Sequence, residues 1–179
     1  MSRLVVVLPL QPLQAGDSFA VADWPLHITV LAPFLTDAAP ADIAAAIASA
    51  ASGQHALTAM AGRDELFGRR KDVPVTLVEG DEALARLRRS LVDAVRPFAE
   101  TPDEPAFTGP DFRAHVTVKG DTRVHEGDEL SLSQIALVDM APRTGPSGRT
   151  VLATICLPTP KMTHVRDGDP TQNGSHPPV

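Results

Sequence analysis

Two stretches of the chain carry residue types that can do chemistry together: His27-Ile28-Thr29-Val30 and His115-Val116-Thr117-Val118, one in each half. Both alternate polar and aliphatic residues, the pattern of a strand with one buried face. Residues two apart in a strand point the same way, roughly 6–7 Å from each other. His27 therefore shares a face with Thr29, and His115 with Thr117, while Ile28, Val30, Val116 and Val118 turn the other way. If the strands meet across a cleft, two imidazoles and two hydroxyls converge. That set suits a phosphodiester: one neutral imidazole takes a proton from the nucleophile, one imidazolium protonates the leaving oxygen, and the hydroxyls bond the non-bridging oxygens. Histidine serves both roles because its unperturbed pKa lies near 6.5, and each ring is expected to rest at about 6–7. The bland alternative is a pair of half-exposed strand histidines whose repetition is coincidental.

Further candidates lie close by. Phe34 follows the first motif in an expected loop and either stacks on a base or packs beneath the loop. Arg113 and Lys119 share strand parity with His115 and Thr117, so both are candidates to border the groove as substrate contacts. Arg69-Arg70-Lys71 forms a basic triplet that either receives a phosphate tail or is a solvated turn. Trp24 stands at the groove mouth or in the core. His55, His125, His164 and His176 have no partner at useful spacing. No HxxxH, HExxH or cysteine pair supplies a metal site, and neither Gly-x-Ser-x-Gly nor GxxxxGK[ST] occurs. The expectation is chemistry without metal or cofactor.

Positioning these groups requires strands mixed with two helices, an α+β architecture. Strands are expected at Arg3–Leu10, Leu26–Ala32, His55–Ala61, Val73–Val78, Arg113–Lys119, Leu130–Val138 and Thr150–Leu157, with a loop over 11–24. Ala41–Ser52 reads as a helix, opened by Pro40 and closed by Gly53. Asp81–Phe98 is the clearest helix, because Asp81 can cap it and Leu84, Leu87, Leu91 and Val95 fall on one face. Residues 1–158 are expected to form one domain. Residues 159–179, rich in Pro, Gly, Asp and His, read as a flexible tail.

Bulk properties narrow the partners. Hydrophobic residues make up 43% and charged residues 21%, ordinary globular values. No apolar run reaches the roughly 18 residues of a membrane helix, and no secretory leader is evident. One cysteine excludes an intramolecular disulfide and points to a reducing, cytoplasmic setting. A net charge of −6 and 4% aromatics argue against a long nucleic acid, whose phosphates need many cations. A small nucleotide or an RNA end fits better; nothing in the sequence bears on oligomeric state.

At HITV and HVTV the sequence resembles the two-histidine phosphoesterase superfamily, which includes bacterial 2′-5′ RNA ligase-like proteins and 2′,3′-cyclic phosphodiesterases. The aliphatic RLVVVLPL strand, Pro33-Phe34 and Arg113-Ala114 extend the resemblance over residues 3–157. It implies a bilobal fold of two pseudo-symmetric sheet-plus-helix lobes around a central groove. It also implies metal-independent cleavage or formation of phosphodiesters at ribose 2′ positions, with catalysis at His27 and His115 and phosphate binding at Thr29 and Thr117. A module that merely binds a nucleotide phosphate in the same groove is the alternative, but a binder has no need of a matched acid and base.

Overall fold

Alternating burial organises the chain into a nine-stranded sheet with two helices, in a computed structural model that describes residues 1–103, 107, 112–140 and 148–160. The strands are β1 (Ser2–Pro9), β2 (Ser18–Phe19), β3 (His27–Thr36), β4 (Leu57–Phe67), β5 (Val73–Val78), β6 (His115–Thr117), β7 (Glu129–Leu132), β8 (Gln134–Asp139) and β9 (Arg149–Cys156). They run in the order β2-β9-β8-β1-β3-β6-β5-β4-β7, with every pairing antiparallel. Helix α1 (Pro40–Ala50) joins β3 to β4, and α2 (Glu82–Val95) joins β5 to β6. The two motif strands, β3 and β6, are thus neighbours at the centre, where the two halves of the sheet meet.

The helices form where the sequence marks them. Pro40 occupies the first turn of α1, and Ile43 and Ile47 are fully buried one turn apart. The Asp81 carboxylate accepts from the Leu84 N–H at 2.9 Å and caps α2, whose buried stripe is Leu84, Leu87, Leu91 and Val95. Both stripes pack on one face of the sheet, against Leu4, Leu8, Ile28 and Val116 among others. Removing Ile28 by substitution with alanine would cost about 2–5 kcal/mol, because it is wholly buried beneath the helices. The opposite face holds a smaller apolar cluster of Val5, Val7, Leu13, Trp24, Ala136, Val138 and Val151, covered by the chain after β1.

Several boundaries differ from those expected. β3 continues through Pro33 to Thr36, because Pro33 falls where its register with β1 shifts, between the Val6–Leu31 and Leu4–Phe34 pairs. A bulge tolerates the missing N–H. The apolar run over 130–138 is two strands: β7 adds to β4, and after Ser133 the chain crosses to pair with β1 and β9 as β8. The expected loop over 11–24 contains the short edge strand β2. β6 is three residues long, and Lys119 beyond it makes an isolated bridge with Thr122. Of the expected tail, residues 161–179 lie outside the described residues. No helix among the described residues is long and apolar enough to cross a membrane.

Candidate active site

The site begins with one register. Ile28 of β3 pairs with Val116 of β6, and both point into the helix-side core. In an antiparallel pair this sets His27 opposite Thr117 and Thr29 opposite His115, with opposed Cβ atoms about 4.5–5.5 Å apart and diagonal ones about 7–8 Å apart. All four side chains therefore occupy the face away from the helices, and all four are half-buried. Among the described residues neither threonine hydroxyl is spent on a hydrogen bond, so both are available to a ligand.

Each imidazole is oriented by the same local device. His27 Nδ1 lies 2.7 Å from the Pro25 carbonyl, and His115 Nδ1 lies 2.8 Å from the Arg113 carbonyl. A carbonyl only accepts, so Nδ1 carries the proton in both rings and Nε2 is left with its lone pair. An aromatic ring then packs on each. Trp24 lies 3.9 Å from His27 between ring centroids, and Phe67 meets His115 edge-on at 4.7 Å. A cation covers each aromatic in turn: Lys119 Nζ is 4.9 Å from the Trp24 ring, and the Arg113 guanidinium is 5.2 Å from Phe67.

Charge breaks this symmetry. Beside Phe67, Arg113 is paired with Glu65 through two hydrogen bonds of 2.7 and 2.6 Å, which hold the Glu65 carboxyl below its ordinary range. Beside Trp24 stand two cations, Lys119 and Arg149, with Arg149 5.4 Å from the ring. Lys119 also donates to the Trp24 carbonyl. Burial, with Arg149 nearby, pushes the Lys119 ammonium down to about 8. His27 is pushed down to about 4, first by burial and then by the charges of Lys119, His115 and Arg149, against the opposing pull of the Pro25 carbonyl. The resting value of 6–7 expected for both rings does not hold for His27.

A family model described as the 2′-5′ RNA ligase superfamily matches residues 5–132, a span that contains both motifs. The chain belongs to the 2′-5′ RNA ligase superfamily. No curated protein matches it at a significant level. Solved structures share its fold at low identity. One described as a phosphoesterase is 19% identical, with a TM-score of 0.56 over 89% of this chain and 100% of its own. TT0787 of Thermus thermophilus is 19% identical, with a TM-score of 0.56 over 88% of this chain and 98% of its own. E. coli LigT, complexed with 3′-AMP, is 18% identical, with a TM-score of 0.52 over 87% and 98%. Family and fold together point to a two-histidine phosphoesterase.

Within this 2′-5′ RNA ligase superfamily chain, the remaining candidates divide. Phe34 is not a stacking platform: it is 1% exposed and packs edge-on against Phe107 at 5.7 Å in the core. The bulged β3 turns it towards the helices, where the expected loop does not exist. Arg113 stands on the His115 side as its parity requires, but its guanidinium is committed to Glu65. Lys119 sits on the His27 side, where its ammonium lies over the Trp24 ring and donates to the Trp24 carbonyl. Arg69, Arg70 and Lys71 are exposed in the turn after Phe67. Four contributors carried no usable sequence signal: Phe67, Arg149 and the two carbonyls, of Pro25 and Arg113, that fix the tautomers. Among the described residues no three His, Cys, Asp or Glu side chains gather as a metal-ligand set.

Proposed function

We propose that this chain is a metal-independent phosphodiesterase of 2′,3′-cyclic phosphates or 2′-5′ phosphodiester bonds, acting on nucleotides or RNA ends. The observation that carries it is the Ile28–Val116 register, which gathers two Nε2 lone pairs and two uncommitted hydroxyls on one face. In cleavage, the neutral His27 Nε2 takes a proton from water as the oxygen attacks phosphorus. The leaving ribose oxygen receives a proton from Nε2 of protonated His115, so a phosphomonoester and an alcohol are released. His27 then returns its proton to solvent and His115 regains one. Burial and the nearby cations favour His27 as the base. Thr29 and Thr117 bond the non-bridging oxygens, with Lys119 adding positive charge. LigT was crystallised with 3′-AMP, which supports a ligand of mononucleotide size.

Incubation with nucleoside 2′,3′-cyclic phosphates in EDTA tests the proposal, with product followed by chromatography. Turnover to a phosphomonoester is expected. Complete loss in EDTA with restoration by one specific divalent ion would count decisively against it, as would saturable binding with no product. Thr29→Ala or Thr117→Ala should each lower kcat/KM about ten- to a hundredfold, the loss of one hydrogen bond to a charged oxygen. A threonine variant at full activity would remove that residue from the phosphate site.

A further inference from the structure

A cavity of about 690 Å³ shares Trp24 and Lys119 with the surroundings of His27, and its wall includes none of His27, Thr29, His115 and Thr117. The two shared residues link it to the site just described: Trp24 stacks on His27, and Lys119 lies over Trp24. A volume of that size is within the roughly 300–1,000 Å³ typical of small-ligand sites. Its charged lining is three carboxylates, Asp23, Asp128 and Glu129, against the single Lys119 ammonium. Asp128 is partly spent on the His125 N–H at 2.8 Å. Asp23 and Glu129 are exposed and form no ion pair among the described residues. Apolar surface from Leu10, Leu26 and Leu130 completes the wall.

We propose that this cavity is the subsite for the nucleoside part of the substrate, and that it takes an uncharged sugar and base while rejecting a second phosphate. The inference rests on the phosphodiesterase reading and narrows its substrate class to nucleotides without a 5′-phosphate, setting RNA ends aside. Carboxylate oxygens accept hydrogen bonds and donate none, so they match ribose O–H groups and the N–H edges of guanine, adenine or cytosine. A further phosphate in the same space would meet like charge. Lys119 stands between the two regions, where it assists the reacting phosphate and leaves the cavity beyond it acidic. The apolar wall suits the face of a base.

The test compares pairs of nucleoside 2′,3′-cyclic phosphates that carry either a 5′-hydroxyl or a 5′-phosphate. The 5′-hydroxyl form should be preferred about tenfold or more in kcat/KM, and the preference should shrink as salt is raised. In the Asp23→Asn/Glu129→Gln double variant the ratio should fall towards one. A parent enzyme that favours the 5′-phosphate, or a double variant with the parent's ratio, would overturn the subsite. If no cyclic phosphate is turned over, the phosphodiesterase reading fails on its own. The subsite is then decided by calorimetry with 3′-nucleotides and their 3′,5′-bisphosphates. Weaker binding of the bisphosphate, relieved in the double variant, sustains it; equal binding in both proteins sinks it.

Discussion

Replacing His27 or His115 by alanine should lower kcat/KM on a nucleoside 2′,3′-cyclic phosphate by about two to four orders of magnitude, the usual worth of a positioned acid or base. The double variant should be little worse than the weaker single one, because base and acid act in one step and neither helps much alone. Geometry supports reading the loss as chemical. Both imidazoles are half-buried on the groove face, while Ile28 and Val116, which anchor the same strands in the core, stay untouched. Asparagine at either position serves as a control: it can donate to the Pro25 or Arg113 carbonyl but cannot shuttle a proton. Variants that keep the parent's melting temperature and lose activity fit the proposal. A His115→Ala enzyme within tenfold of the parent would rule out the paired mechanism.

What the sequence discloses about this site is what depends on local pattern. The alternation in HITV and HVTV states which side chains share a face, since strand parity follows from two-residue spacing alone. The Asp81 cap and the Leu84–Val95 stripe are equally local, and α2 appears where they place it. Contacts between distant segments are another matter. Nothing in residues 64–68 announces that Phe67 packs on His115, because that contact needs β4, β5 and β6 to align. The partner change after Ser133 is invisible for the same reason: β7 and β8 have one continuous apolar pattern but lie in different halves of the sheet. Phe34 shows how a strong local rule misleads. Proline at 33 argues for a loop, and only pairing with β1 reveals a bulge that accommodates it.

The inequality of the two histidines is also a tertiary property, and it leads to the prediction most easily separated from simple loss of a residue. His27 is lowered to about 4 because Trp24 and the surrounding chain bury it, while Lys119, just beyond β6, and Arg149, at the start of β9, bring positive charge. A base must be unprotonated to act. The acid limb of kcat/KM that belongs to His27 should therefore fall near pH 4, well below the unperturbed 6.5. Lys119→Met removes one of the lesser causes, so it should move this limb upward only in part. Trp24→Ala opens the ring to water and should move it further, since burial is the largest cause. Stability follows the same linkage. The folded pKa lies below the unfolded one, so between pH 6.5 and 4 the unfolded chain binds more protons at this position. The contribution is complete above about pH 6.5 and is lost as pH falls to about 4, a change of at most about 3 kcal/mol. Denaturant unfolding at pH 7 and pH 4.5 measures it. The parent should lose about 2–3 kcal/mol more between those values than His27→Gln, because every other titrating group is common to the two proteins. Identical losses, or an acid limb that remains near pH 6.5 in the parent, would show that His27 is not held neutral by its surroundings.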